Sequence, residues 1–298
     1  MGELTFRKYQ REAAKTDLTP GNSLESMLVP LLGLAGETGS LLSEYKKWMR
    51  EGDSYTPFTD QVSEEIGDIL WYLSNVAEKA GLDFQDVAEE NLAKLQDRWA
   101  SGNASKSTLF LNRYDEHYPM EEQLPRKMRI EFSGVEVDGI PHLKISCNGK
   151  QFGDSLTDNS HINDGYRFHD VFHFGCAVLI GWSPIIRKLL KVKRKSVPRT
   201  DEVEDGARAA AIEEAISAFT FGIAQDYSLF RECKTVDYSI LRTIRIMTRS
   251  LEVRDRPLRD WENVILKSYS VWRMLIENGG GTVIGDANSG TFQYHHAL

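Results

Sequence analysis

The spacing of apolar residues changes twice along this chain, and these changes limit the folds it can adopt. Over residues 62–76, apolar side chains recur every three or four positions, which is typical of a helix packed on one side. Residues 128–132, 134–137 and 142–147 instead favour short strands. The helical pattern returns from about residue 165. The sequence therefore predicts a mainly α protein with a small β-hairpin insertion between two helical parts.

Four helices with short loops are predicted in the first hundred residues, which suggests a small bundle. Pro20 and Gly21 break the chain after the first helix, and Pro30 predicts an irregularity or kink in the second. Gly81 ends the third helix, and Asp83 suits the N-cap of the fourth. The predicted helices span residues 5–17, 24–50, 60–79 and 84–99.

The remaining chain is predicted to form a second, mostly helical domain. We assign residues 1–105 to the first domain, 106–124 to a linker and 125–298 to the second domain. Asn148-Gly149 predicts a hairpin turn, and the glycine-rich tail from Gly279 is expected to be partly loose. Further helices are predicted at residues 166–180, from Pro184 onward, and at 201–230, 237–252 and 258–277.

Composition argues against several classes of protein. No apolar run approaches twenty residues, so no membrane span is expected, and the polar start lacks the apolar segment of a secretory signal. Three scattered cysteines without CxxC spacing favour a reducing, cytoplasmic location over a disulfide or zinc framework. The formal net charge is −8, which fits either simple solubility or clustered carboxylates that hold divalent cations, and charge alone does not separate the two.

Carboxylates on the second and third helices form the strongest candidate site. Glu37 and Glu44 are seven residues apart, nearly two turns, so they share one helix face. Glu65 and Asp68 share a face through their ExxD spacing. If the helices pack antiparallel, four carboxylates converge and repel one another, and Mg²⁺ or Mn²⁺ would relieve that repulsion. The plain alternative is a solvated acidic helix face.

The segments GLAGETGSLLSEYKKWMREG and VSEEIGDILWYLSNVAEKAGLDFQDVAEENLAKLQDRW resemble the MazG-like family of all-α nucleotide pyrophosphohydrolases, over about residues 24–99. In that family a Glu pair at i, i+3 precedes an ExxD motif one helix later. Glu37 matches the first Glu, and Glu65 and Asp68 match the ExxD motif. Ser40 occupies the second Glu position, and Glu44 is the candidate replacement ligand.

The resemblance implies an enzyme that hydrolyses a nucleoside triphosphate to the monophosphate and pyrophosphate with Mg²⁺, and that assembles as a dimer or tetramer. It implies that Glu37, Glu65 and Asp68 are catalytic, and Glu64 is a candidate for orienting the water. Solvated charges and a core tryptophan are the alternatives for the implied substrate contacts. Those contacts are Lys47 and Trp48 near the base, and Asn91, Lys94 and Arg98 at the phosphates or sugar.

A second ionisable group lies in the C-terminal half, which looks like an extension found beside some MazG-like domains. A His pair at i, i+4 can bind a transition metal, but no Glu stands where an HExxH site needs it. Buried polar pairing between two helices is therefore the preferred interpretation of this group. Its candidate members are His169, Asp170, His173, Glu204, Asp205 and Glu214, and Glu213 lies along the same later helix.

Two other functions remain open from the sequence. Residues 187–195 carry six basic side chains in nine, which could attract nucleic acid, although an exposed helix end is slightly favoured. A nucleotide-sensing module is the second alternative. In that case Ser40 weakens catalysis, and the C-terminal domain signals or binds a partner.

Overall fold

The fold is mainly helical, as predicted, and the chain divides into two units, Met1–Gln96 and Asp97–Leu298. A computed structural model describes residues 3–99 and 113–295; the side chains of Lys94, Asp97, Arg98, Trp99, Phe152 and Asp154 lie outside the description. No single helix of the described residues is long and apolar enough to cross a membrane. The bent pair of residues 166–179 and 184–190 meets that test only by length and composition.

The first unit contains the four predicted helices. Ser23 caps the second by accepting a hydrogen bond from the Ser26 amide, and Pro30 lies inside that helix without interrupting it. The second and third helices pack closely, because a Cβ at Gly33 would lie 2.2 Å from the ring of Tyr72. The helices are α1 (Phe6–Ala14), α2 (Leu24–Glu51), α3 (Phe58–Lys79) and α4 (Phe84–Trp99).

Polar contacts fix α1 and the segment after it against α3. The Trp71 indole donates to the Thr16 hydroxyl at 2.8 Å. The buried ammonium of Lys79 contacts the Asp17 carboxylate and the Thr19 carbonyl, both at 2.5 Å. Gln10 donates to the Glu78 carboxylate at 2.8 Å, which adds a contact from α1 itself. These bonds hold the carboxyl end of α3.

The first unit buries little of its apolar surface. Among its described residues, the buried apolar side chains are those of Ala13, Pro30 and Ala77. Large apolar side chains on α2, α3 and α4 are exposed instead, which is unusual for a unit that stands alone in water. The most exposed of these are Leu24, Leu32, Leu42, Met49, Ile66 and Leu92.

The second unit is built around a five-stranded antiparallel sheet of order β3-β2-β1-β4-β5. Asn148 and Gly149 have φ angles of 51° and 76°, which confirms the predicted hairpin turn. Asp138 and Gly139 make a second such turn, with φ angles of 53° and 77°. The strands are β1 (Lys127–Val137), β2 (Ile140–Cys147), β3 (Lys150–Leu156), β4 (Gly281–Asp286) and β5 (Thr291–His295).

The expectation of a loose tail is wrong, because β4 pairs with β1 from Lys127↔Asp286 to Phe132↔Gly281. Val283 and Phe292 of the tail are buried in the core of this unit. The two strands predicted at 128–132 and 134–137 are also one continuous strand, β1. The predicted hairpin insertion is therefore the first part of a sheet that the end of the chain completes.

The helices of the second unit pack with this sheet. Pro184 begins a helix, as predicted. The single helix predicted over 201–230 is wrong, because the chain breaks at Gly206, where a Cβ would lie 1.9 Å from the Glu202 carbonyl oxygen. The helices are α5 (Asp170–Leu179), α6 (Pro184–Leu190), α7 (Pro198–Val203), α8 (Ala207–Asp226), α9 (Tyr238–Thr248) and α10 (Leu258–Asn278).

The basic run at 187–195 is not one exposed surface, because two of its members are internal. Arg187 and Arg194 are each 1% exposed. Arg187 donates to Asp115 at 2.8 Å, and Arg194 donates to Asp205 and Glu252, each at 2.6 Å. The interpretation of the run as an exposed helix end therefore holds only for the exposed lysines, Lys188, Lys191 and Lys195.

We expect Arg194→Ala to destabilise the second unit by about 3–5 kcal/mol, because it removes the guanidinium that donates to both Asp205 and Glu252 in a buried network. Lys195→Ala, one residue away and exposed, is the matched control and should change stability by less than about 0.5 kcal/mol. Urea denaturation followed by tryptophan fluorescence measures both. Equal stabilities of the two variants would contradict the importance of the network.

Candidate functional site

Glu37 on α2 and Glu65 on α3 meet where these helices pack. Burial raises the pKa of Glu65, and the Glu37 carboxyl group, within hydrogen-bonding reach, raises it further. The charges of Asp68 and Glu44 act on Glu65 in the same direction. The carboxylates of α2 and α3 therefore lie close together, as the spacing of the acidic residues along each helix predicts.

The donor atoms of this acidic group suit a divalent cation. Oε2 of Glu65 is buried and has no hydrogen-bond partner. Glu37 is half-buried and Asp68 is exposed, so the group opens to solvent on one side. A buried carboxylate oxygen without a donor is costly, and carboxylate oxygens are the ligands that Mg²⁺ and Mn²⁺ prefer. The residues present therefore fit such an ion.

Glu44 is 5% exposed and already has two donors. Lys47 Nζ contacts it at 2.5 Å, and the Tyr55 hydroxyl donates to its other oxygen. The hydrogen bond from Lys47, followed by that from Tyr55, lowers the pKa of Glu44. Ser40, half-buried on the same helix, contributes no charge. A cation at Glu44 would therefore share the carboxylate with two existing donors, one of which, Lys47, is itself positively charged.

The candidate substrate contacts divide into three cases. Trp48 stacks on Phe58 with 5.3 Å between ring centroids and is 42% exposed, so it is neither a core residue nor free on both faces. Lys47 is bound to Glu44, and Asn91 is exposed on α4. The side chains of the other two candidates, Lys94 and Arg98, lie outside the described residues.

Glu64, the candidate for orienting the water, is exposed beside Glu65 on α3. It accepts a hydrogen bond from Gln61 Nε2 at 3.3 Å. Its carboxylate is therefore open to solvent and held only weakly by the protein.

Only some of the ionisable residues predicted to form a second group in the C-terminal half lie close together. His169, Asp170 and His173 have potential ligand atoms that lie within 4.8 Å of one another, and Glu214 Oε2 lies 3.4 Å from His173 Nε2. Glu213, which the predicted group omits, contacts His173 Nδ1 at 2.9 Å and is fully buried. This contact between α5 and α8 is the buried polar pairing between two helices that the sequence favours.

The other two predicted members have different partners. Asp205 accepts hydrogen bonds from Arg194, and Glu204 accepts one from the Glu252 amide at 2.9 Å. They precede α8 in the chain, whereas Glu213 and Glu214 lie two turns inside it. The prediction that all six residues form one group is therefore wrong.

Comparison with known proteins gives separate family matches for the N-terminal and C-terminal parts of the chain. The family model for the MazG nucleotide pyrophosphohydrolase domain matches residues 26–101, and the model for the MazG C-terminal domain matches residues 110–297, more than half of the chain. The chain belongs to the MazG family. It is also 32% identical over 96 residues to the Gene 37 protein of Mycobacterium phage L5, which covers 30% of this chain and 84% of that protein. No solved structure matches it.

The resemblance drawn from residues 24–99 is thus confirmed, and the MazG domain places the chain in a family of nucleoside triphosphate pyrophosphohydrolases. The acidic group lies within the MazG domain match. The histidine group of α5 lies within the match to the MazG C-terminal domain.

We expect Mg²⁺ to stabilise the first unit by relieving repulsion within the acidic group. Binding adds about 2.7 kcal/mol when the free ion exceeds its Kd about a hundredfold. Glu65→Gln should raise the thermal midpoint in metal-free buffer and remove most of the Mg²⁺ effect, because it removes the negative charge of the half-buried carboxylate beside Glu37. Differential scanning fluorimetry with and without Mg²⁺ measures both effects.

Asp60→Asn is the matched control for this measurement, since Asp60 is an exposed carboxylate in the first turn of the same helix. It should keep the full response to Mg²⁺. The assignment fails if wild-type protein and Glu65→Gln respond alike.

Proposed function

We propose that this protein hydrolyses nucleoside triphosphates to the monophosphate and pyrophosphate at the acidic group of α2 and α3. The observation that supports this most directly is the buried Glu65 Oε2, which has no donor and lies in a group with Glu37 and Asp68. Four carboxylates collected beside one another would repel a polyphosphate on their own. A site of this charge suits such a substrate only together with cations.

Glu37, Glu65 and Asp68 would hold Mg²⁺, or Mn²⁺ in its place, which supplies charge neutralisation at the phosphate oxygens and a lowered pKa for bound water. Glu64 is exposed one position before Glu65 and is suited to orient the attacking water through its carboxylate. In the family that this chain belongs to, the bond broken lies between the α- and β-phosphates.

Residues beside the acidic group are suited to position the nucleotide. The face of Trp48 turned away from Phe58 offers a surface on which a base can stack. Glu44 forms hydrogen bonds with Lys47 and Tyr55 and so fixes the position of the Lys47 ammonium group. From that position Lys47 is suited to contact a phosphate. Asn91, Lys94 and Arg98 on α4 remain proposed contacts to phosphate or sugar. The three cysteines are free thiols, which agrees with the cytoplasmic location we propose.

A panel of ribo- and deoxyribonucleoside triphosphates, assayed for pyrophosphate with Mg²⁺, tests the proposal. We expect Glu65→Gln and Asp68→Asn each to lower turnover at least about a hundredfold with helix content unchanged, because each removes a ligand oxygen. Asp60→Asn should retain wild-type turnover. Near wild-type turnover in either site variant would refute the metal-site assignment.

Ser40 favours a second candidate function, a nucleotide sensor with weakened catalysis. A neutral hydroxyl stands where the family motif has a carboxylate, and the C-terminal domain forms most of the chain. Nucleotide binding by calorimetry without pyrophosphate release would favour the sensor. Substantial pyrophosphate release would favour the enzyme.

We also propose that the protein is a homo-oligomer joined through its first unit, since exposed apolar side chains on α2 to α4 need a covering surface. Light scattering at micromolar concentration should give a dimer or tetramer. Leu32→Glu and Leu42→Glu, at positions 69% and 65% exposed, should dissociate it, whereas Met120→Glu in the second unit, 87% exposed, should not. A monomeric wild-type protein would contradict the proposal.

A further inference from the structure

Both histidines at the start of α5 are held through the same ring nitrogen. His169 Nδ1 lies 3.1 Å from the Tyr166 carbonyl oxygen, and His173 Nδ1 lies 2.9 Å from Glu213 Oε1. Because both partners are acceptors, each Nδ1 carries the proton. In the neutral ring this leaves Nε2 with its lone pair, which is the atom that binds a metal.

The two Nε2 atoms face carboxylates at distances that fit shared ligation. His173 is fully buried, and its Nε2 has no hydrogen-bond partner; Glu214 Oε2 lies 3.4 Å away. His169 Nε2 lies 3.6 Å from Asp170 Oδ1. Ligands of a tetrahedral ion with bonds of about 2.0–2.1 Å are themselves about 3.3 Å apart.

The carboxylate behind His173 is held by hydrogen bonds from three different parts of the second unit. Glu213 is fully buried and accepts hydrogen bonds from the Ser183 hydroxyl at 2.7 Å and the Ile185 amide at 2.9 Å, in addition to the imidazole. A carboxylate that holds the far nitrogen of a metal-binding histidine orients the ring and increases its basicity. Glu213 therefore fixes the ring for a ligand on the other side.

We propose that the second unit binds one divalent transition-metal ion through His169, Asp170 and His173, with Glu214 as the fourth ligand. Two imidazoles and two carboxylates suit Zn²⁺ or Co²⁺ better than Mg²⁺, which prefers oxygen ligands alone. The Glu214 side chain is 45% exposed, so the ion has a route from solvent. This centre uses none of the residues of the acidic group of α2 and α3, and its mixed nitrogen and oxygen ligands differ from the carboxylates there.

The same contacts also fit a protonated His173 between two carboxylates. Burial alone would lower the pKa of His173, but the charge and hydrogen bond of Glu213 raise it to about 10. A protonated ring has no lone pair on Nε2 and binds no ion. Direct measurement of metal binding therefore separates the two arrangements.

The test uses the full chain carrying Glu65→Gln and Asp68→Asn, which removes the acidic group of the first unit as a competing site. After treatment with EDTA, the protein is titrated with Co²⁺ and followed by visible absorption, and Zn²⁺ content is measured by mass spectrometry after equilibration. We expect one equivalent of either ion and a visible Co²⁺ band. His169→Ala and Asp170→Asn should each weaken binding at least tenfold.

His142→Ala is the matched control, because His142 lies on β2 and contacts Ser155 instead. It should bind one equivalent with unchanged affinity, and circular dichroism should show that all variants keep their helix content. The proposal is overturned if the parent chain binds neither ion, or if His169→Ala binds as tightly as the control. Neither result bears on pyrophosphate release, which is measured separately in the wild-type chain.

Discussion

A carboxylate removed from water must be given donors, a counter-charge or a cation, and this requirement organises both units. For Asp205 and Glu213 of the second unit the protein itself meets this requirement: Asp205 is paired with Arg194, and Glu213 receives three donors. In the first unit Glu65 retains a buried oxygen without a donor and stands beside further carboxylates. Protein donors satisfy the buried carboxylates Asp205 and Glu213, whereas Oε2 of Glu65 is left without a protein donor.

The helices and the acidic group could be predicted because the relevant information is local. Apolar spacing defines α2 and α3, and the ExxD spacing alone places Glu65 and Asp68 on one face. The metal-site and substrate roles of these residues remain predictions. The histidine group was harder, since the contact of His173 with Glu213 joins residues forty positions apart through the packing of α5 on α8.

Two other differences have equally physical origins. The glycine-rich composition of the tail made its strands hard to predict from the sequence. Gly280 is nevertheless required there, because a Cβ at this position would lie 2.4 Å from the Phe132 carbonyl oxygen of the neighbouring strand. A run of basic residues does not reveal which members are internal. Arg187 is buried because Asp115, seventy-two positions earlier, meets its guanidinium. The sequence of a segment shows how many charged residues it has. Which of them are buried depends on residues far away in the chain that pack against them.

The pairing of β1 with β4 has a consequence for synthesis on the ribosome. The helices of the first unit are neighbours in sequence and can associate as soon as they emerge. The central strand β1 must wait for a partner made about 150 residues later, roughly 8–30 s at about 5–20 residues per second. During that interval one edge of β1 stays unpaired, and an unpaired strand edge can pair with another chain, such as a second nascent copy on the same messenger.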